Sequence, residues 1–259
     1  MRMSEMTSAA FAAALSRRPT VILPAGATEQ HGAAGPLGTD ALVSDAIARE
    51  VGRRAGMAVA PALTFGMSQF HLGFAGTVSL RPSTLAAVVR DVLASLALHG
   101  VRHVFILNGH GGNVAPIVSG IQEFHAERSF AGNETPARLH VLVRSWWDLP
   151  AVADLCASSF GAGEGRHVTA SEIAILRYLT PEMMPDSQEA PARQLTASEA
   201  LVHAGDRHHD AADFRRRFAD GRIASDPSLA TPAIGSKLYE AAVQGCLAEI
   251  LLLEADRAD

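Results

Sequence analysis

Cysteine is scarce in this chain of 259 residues: only Cys156 and Cys246 occur, both in Ala-rich contexts of helical type, and neither belongs to a CxxC pair. Both are expected to be reduced, buried and inert. A long basic stripe is also missing. The formal net charge is -5, which argues against the phosphate-neutralising surface that nucleic-acid binding requires, so no polyanionic partner is expected. No uninterrupted apolar run is long enough to span a bilayer, which leaves no expected membrane partner. The N-terminal stretch MRMSEMTSAAFAAALSRRPTVILPAG breaks its apolar residues with Ser, Glu and Arg and has no h-region of signal-peptide type. A cytoplasmic location is therefore expected. Internal repeats and low-complexity segments are absent as well.

What is present is enough apolar residue, 48% of the chain, for a substantial core. A single domain over 1–259 is the expected organisation. Short apolar runs alternate with stretches of helical period. A helix over Ser4 to Ser16 precedes a buried strand over Thr20 to Pro24. A helix beginning near Asp40 is followed by strands over Met57 to Leu63 and Gly76 to Leu80. Pro82 to Leu98 reads as a helix with a Gly stop at Gly100, and His103 to Leu107 as a central parallel strand. A helix over Asn113 to Glu127, a strand over Leu139 to Ser145 and a helix over Thr169 to Leu179 follow. From Pro181 to about Asp226 the period is lost, apart from a short helix around Ala211 to Phe218, and Ile234 to Glu254 closes the chain as a long amphipathic helix. Such alternation implies right-handed crossovers and a mostly parallel sheet covered on both faces.

The chemistry-bearing residues gather at strand ends, where open parallel sheets place their sites. LPAGATEQHGAAGPLGTD, from Leu23 to Asp40, carries Glu29, His31 and Asp40 within twelve positions. In an extended segment Glu29 and His31 point to one side, and Asp40 stands at a helix start in the position of a capping residue. Taken singly, such residues are solvated turn residues and caps. GHGGN, Gly109 to Asn113, follows the strand VFILN and puts His110 at its carboxyl end, with glycines that let backbone approach a bound group. It has neither the Lys-Ser/Thr ending of a P-loop nor the spacing of GxGxxG. Asn108 and Asn113 are turn-forming or ligand-supporting groups. In GEGRHVTASEIAIL, Glu172 opens a helix near the loop holding His167; on its own it would complement the helix N-terminal dipole. Trp146 and Trp147, past a strand, either wall a flat substrate or pack in the core or a subunit interface. His208 and His209 are expected at the surface.

These motifs resemble the creatininase family of metal-dependent amidohydrolases. LPAGATEQHG with the Thr39-Asp40 pair, FHLGFAGTVSL at 70–80, NGHGGN at 108–113 and SDPSLATPAIGSKL at 225–238 match its signatures in order. The resemblance implies a three-layer α/β/α domain with a mostly parallel central sheet, assembled as a homo-oligomer, often a hexamer. It implies one or two divalent metal ions, Zn, Mn or Fe, held by Glu29, His31, Asp40, His110 and Glu172, with Asp40 bridging two ions. By the same analogy His167 is an acid/base residue and Glu172 shares the proton handling. The expected activity is hydrolysis of a non-peptide C–N bond in a small, cyclic or linear, amide by a metal-activated water. The family alternatives are deformylation of formamides and peptide trimming; outside catalysis, the alternative is a silent metal-binding scaffold. Two departures stand out: Ala34 occupies the place of a second family His, and HVTASEIA replaces the His-Ala-Gly-x-x-Glu-Thr-Ser stretch.

Overall fold

The computed structural model describes residues 1–132, 138–185, 194–199 and 208–255. Among them four parallel strands form one sheet: β1 (Thr20–Ala25), β2 (Ala58–Val59), β3 (His103–Asn108) and β4 (His140–Ser145), in the order β2-β1-β3-β4. β1 is TVILPA, buried along its whole length, as a strand covered on both faces must be. Its alternate residues feed two cores. Ile22 with Phe105 and Leu107 faces α2 (Thr39–Ala55), α5 (Pro150–Phe160), α6 (Ala170–Leu179) and the C-terminal α8 (Pro232–Ala255). Val21, Leu23, Val104 and Ile106 face α1 (Ser8–Arg17), α3 (Pro82–Leu98) and α4 (Val114–Phe130). The result is the three-layer α/β/α arrangement. A shorter helix, α7 (Ala211–Arg217), packs outside these layers, against the 3-10 turn Gln69–Gly73.

The register fixes where loops emerge. β1 pairs with β3 from Thr20↔His103 to Ala25↔Asn108, so both strands end level, and the segments after Ala25 and after Asn108 leave side by side. The expected strand over Gly76 to Leu80 does not form. Val78 is tied to Thr28 by a single bridge, and the segment is a loop crossing the carboxyl edge of the sheet. Likewise only Ala58 and Val59 of the expected Met57 to Leu63 strand pair regularly. Helix α5, whose bounds the sequence did not give though Cys156 reads as helical, starts at Pro150, whose fixed φ suits a first helical position. The Cys156 and Cys246 thiols are free and buried, on α5 and α8. Of the stretch expected to be irregular, 186–193 and 200–207 lie outside the described residues.

Asp40 is not the cap of α2. That place belongs to Gly38, and Asp40 sits in the first turn, buried. Two glycines bring this turn down onto the sheet edge. A Cβ on Gly26 would lie 2.3 Å from the Ala41 nitrogen, and one on Gly109 would lie 2.3 Å from the Asp40 carbonyl oxygen. Helix packing therefore requires glycine at position 109.

Candidate metal centre

Glu29, His31, Asp40, His110, His167 and Glu172 are all buried and converge at the carboxyl edge of the sheet. Asp40 stands at the middle, with Oδ1 3.1 Å from His31 Nε2 and Oδ2 3.0 Å from His110 Nδ1. Around it, Glu29 Oε1 lies 3.4 Å from His110 Nδ1, and Glu172 Oε1 lies 3.8 Å from His31 Nε2. Two three-residue groups of donor atoms result, Glu29/Asp40/His110 and His31/Asp40/Glu172, sharing Asp40. Glu29, His31 and His167 make a third, with His167 Nδ1 3.5 Å from Glu29 Oε1.

Each of three imidazoles is oriented by a backbone carbonyl. His31 Nδ1–H donates to Glu29 O at 3.1 Å, His110 Nε2–H to Met67 O at 2.9 Å, and His167 Nε2–H to Gln30 O at 2.9 Å. The other ring nitrogen of each, His31 Nε2, His110 Nδ1 and His167 Nδ1, is therefore the one turned to the centre, free to coordinate once deprotonated. This is the orientation that metal-ligating histidines adopt when an outer hydrogen bond sets their tautomer. Both oxygens of Glu29, His31 Nε2 and Asp40 Oδ2 are buried without a hydrogen-bond partner. Buried polar atoms left unpaired cost free energy, and four of them clustered at this edge fit bound cations.

Asn108 holds the His110 backbone in place. Its Oδ1 accepts from His110 N and its Nδ2 donates to His110 O. Asn113 joins the Met67 loop to the end of β1, accepting from Met67 N and donating to Gly26 O. Glu172 both closes the cap of α6 and faces the centre. Its Oε1 accepts from Thr169 N at 2.5 Å, while Thr169 Oγ1 accepts from Glu172 N, a capping box that ties the same carboxylate which faces His31.

The family model described as "Creatininase: Creatinine amidohydrolase" matches residues 4–250. The chain belongs to the creatininase family of amidohydrolases. It is 35% identical over 173 residues to a creatinine amidohydrolase of Pseudomonas putida, an alignment covering 63% of this chain and 65% of the relative. It is 27% identical over 245 residues to a mycofactocin precursor peptide peptidase of Mycobacterium ulcerans (strain Agy99), covering 90% of this chain and 84% of the relative. A solved creatininase variant of Zn-Zn type superposes with a TM-score of 0.76 at 28% identity, covering 96% of both chains.

In this family member the site's electrostatics favour positive charge. Burial alone would strip His31 of a proton, yet the charges of Asp40, Glu172 and Glu29 outweigh it and push its pKa up to about 10. His110, buried in the same way, is carried up to about 9 by Glu29 and Asp40. The close His31 and His110 approaches to Asp40 lack hydrogen-bond geometry, so we assign these shifts to the carboxylate field, which a cation would feel equally. Burial pushes the Glu172 carboxyl up to about 7 against the pull of His31. Asp40 is held well below the usual carboxylate range because the imidazoles of His31 and His110 outweigh its burial. Burial together with the neighbouring His71 and His31 drives His167 well below its ordinary value, leaving it neutral.

Two residues of the site were not singled out from sequence. His71, in the FHLGF segment, and Gln30, between two acknowledged candidates, are both buried beside it. Trp146 is fully buried in the core with Leu149 and Val152, and Trp147 packs against that core, so Trp146 walls no substrate. His208 is not a surface residue. It is buried against the rings of Phe70, Phe214 and Phe218, while His209 is exposed.

Proposed function

We propose that this chain hydrolyses the C–N bond of a small amide at a divalent metal centre built on Glu29, His31, Asp40, His110 and Glu172. The observation that carries the reading is the Asp40 carboxylate. Its two oxygens lie 3.1 and 3.0 Å from the inward nitrogens of two differently oriented imidazoles, His31 Nε2 and His110 Nδ1. Divalent metal would be held by two donor groups that share Asp40, Glu29/Asp40/His110 and His31/Asp40/Glu172. Mixed imidazole and carboxylate donors suit Zn, Mn or Fe. What a divalent ion supplies in such a site is water ionised near neutral pH and polarisation of the substrate carbonyl.

The chain's own residues handle the rest. His167, neutral and with its Nδ1 lone pair turned inward, takes a proton as water adds to the amide carbon. It then returns that proton to the departing nitrogen, so acid and amine leave with the proton balance closed. Glu172 is the partner in proton handling, its carboxyl poised near neutrality by burial. The whole of 1–259 is assigned to this single domain, assembling as a homo-oligomer. No helix among the described residues is long and apolar enough to cross a membrane.

A linear peptide is the second substrate class, favoured by the alignment of the peptidase relative along 90% of this chain. The test is metal analysis of purified protein, with hydrolysis assays on creatinine, small cyclic and linear amides, formamides and short peptides before and after chelation. Turnover that chelation abolishes and metal restores is the expected result. Tight metal with no turnover on any amide, and only thermal stability lost on chelation, would establish the scaffold alternative instead. Light scattering of the same preparation reads the oligomer.

A further inference from the structure

His71 is the fourth imidazole of the site, and its polarity is the reverse of the other three. The Gln30 side chain sets it. Gln30 Oε1 accepts from Gly32 N at 2.9 Å, which fixes which end of the amide is nitrogen. Gln30 Nε2 then has two hydrogens. One goes to Gly221 O at 2.8 Å and the other to His71 Nδ1 at 2.9 Å. His167 Nε2, 3.0 Å from the same amide nitrogen, has its own hydrogen on the Gln30 backbone carbonyl and cannot accept there without losing that bond. His71 Nδ1 is thus an acceptor, and the ring hydrogen stands on Nε2.

That Nε2 points into the centre, 3.7 Å from Glu29 Oε1, beyond hydrogen-bond reach. The ring is locked in place. It lies against His167, with centroids 4.2 Å apart, and takes the edge of Phe214 at 4.7 Å. In the metal-loaded site three imidazoles therefore turn lone pairs inward, and His71 offers an N–H. A preformed N–H donor beside the water-activating groups is the group that acyl transfer requires where negative charge develops on the carbonyl oxygen.

We propose that His71 is a catalytic residue whose Nε2–H donates to the substrate carbonyl oxygen as it becomes an oxyanion, and that Gln30 is the positioning residue that holds this tautomer. The inference rests on the hydrolase reading above. As water adds, the C=O π pair moves onto oxygen and is stabilised by the Nε2–H; when the C–N bond breaks the pair returns and the proton held by His167 goes to nitrogen. His71 keeps its own hydrogen throughout.

The test compares His71→Phe with His71→Gln in metal-loaded enzyme. Phe fills the space without a donor. A glutamine amide can accept from Gln30 through oxygen and donate inward through nitrogen. Loss of one such donor lowers kcat by about 10²–10³-fold, with KM and metal content near wild type, and the expected result is that loss for His71→Phe with at least tenfold recovery in His71→Gln. Nitrogen chemical shifts of the labelled His71 ring in the loaded wild type should report hydrogen on Nε2. Full kcat in His71→Phe, equal losses in both variants with metal retained, or hydrogen on Nδ1 would each overturn this inference alone. No amide turnover in the loaded wild type would instead overturn the hydrolase reading, and this one with it.

Discussion

Replacing Gly109 by alanine should damage the metal centre, while the same change two residues away at Gly111 should not. A Cβ at Gly109 would lie 2.3 Å from the Asp40 carbonyl oxygen and 3.1 Å from Ser44 Cβ, whereas ordinary contact begins near 3.4 Å. The closest atom is helix backbone, so no side-chain tip can swing away, and the first turn of α2 must retreat from the β3 edge by about 1 Å. His110 is covalently next to Gly109, and its Nδ1 is 3.0 Å from Asp40 Oδ2. Retreat of the helix therefore opens the Asp40–His110 gap directly. Metal coordination tolerates departures of only about 0.2 Å from ideal distances. A misplacement of about 1 Å at a reacting centre costs on the order of 10² in rate.

Overpacking of this kind costs about 1–3 kcal/mol, and a melting temperature falls by roughly 2–4 °C per kcal/mol in a chain of this size. At Gly111 a Cβ meets nothing within 4 Å. Alanine there should leave stability unchanged or raise it by about 0.4–1 kcal/mol through the unfolded chain. Metal content by mass spectrometry, thermal melts and amide turnover on both variants check the reasoning. Wild-type metal and melting in Gly109→Ala would refute it. So would equal damage in Gly111→Ala, which would mean that the glycines of this loop serve a bound group instead of the helix.

Three more outcomes follow from the same geometry. Thr169→Ala removes the α6 cap at about 1 kcal/mol and loosens the carboxylate that Thr169 N holds at 2.5 Å; metal affinity should fall about 10–100-fold, and a melt that shifts while the metal titration does not would refute the coupling. His31 and His110, carried up to about 10 and about 9, bind protons in the empty site, so loading at about pH 7.5 must expel protons; calorimetry in two buffers of different ionisation enthalpy should show release, and none would refute the protonated state. Val168, buried between His167 and the Thr169 cap, has φ +56°, a costly conformation for a β-branched residue. Val168→Gly should gain about 1–2 kcal/mol of relieved strain against about 1.5–3 kcal/mol of lost burial, so its net loss is small, while turnover falls as the His167–Glu172 link slackens; unchanged turnover would refute a positioning role for that turn.

The layers and most ligand candidates were legible because period and strand-end chemistry are local signals. VFILN can be little but a buried strand, and level strand ends bring Glu29 and His110 together whatever the intervening 80-odd positions contain. Failures fell where long-range geometry decides. TVSL has the composition of a strand, yet Val78 finds only Thr28 to pair with, and the segment stays a loop. Asp40 has the residue type of a cap, yet the tight seat of α2 on Gly26 and Gly109 makes Gly38 the cap and frees the carboxylate for the site.

Tertiary context also decided what an imidazole offers. Residue type says that His31, His71, His110 and His167 each carry one donor and one acceptor nitrogen when neutral. Which one faces inward depends on Glu29 O, Met67 O and Gln30 O for three of them, and on the Gln30 amide for the fourth. Gln30 therefore acts twice, its backbone oxygen turning a lone pair of His167 inward and its side-chain nitrogen turning an N–H of His71 inward. The proposed base and the proposed oxyanion donor, 4.2 Å apart ring to ring, are thus distinguished by one residue. That residue sits between two ligand candidates and has no ligand chemistry of its own, which is why a search for ligating side chains passes over it.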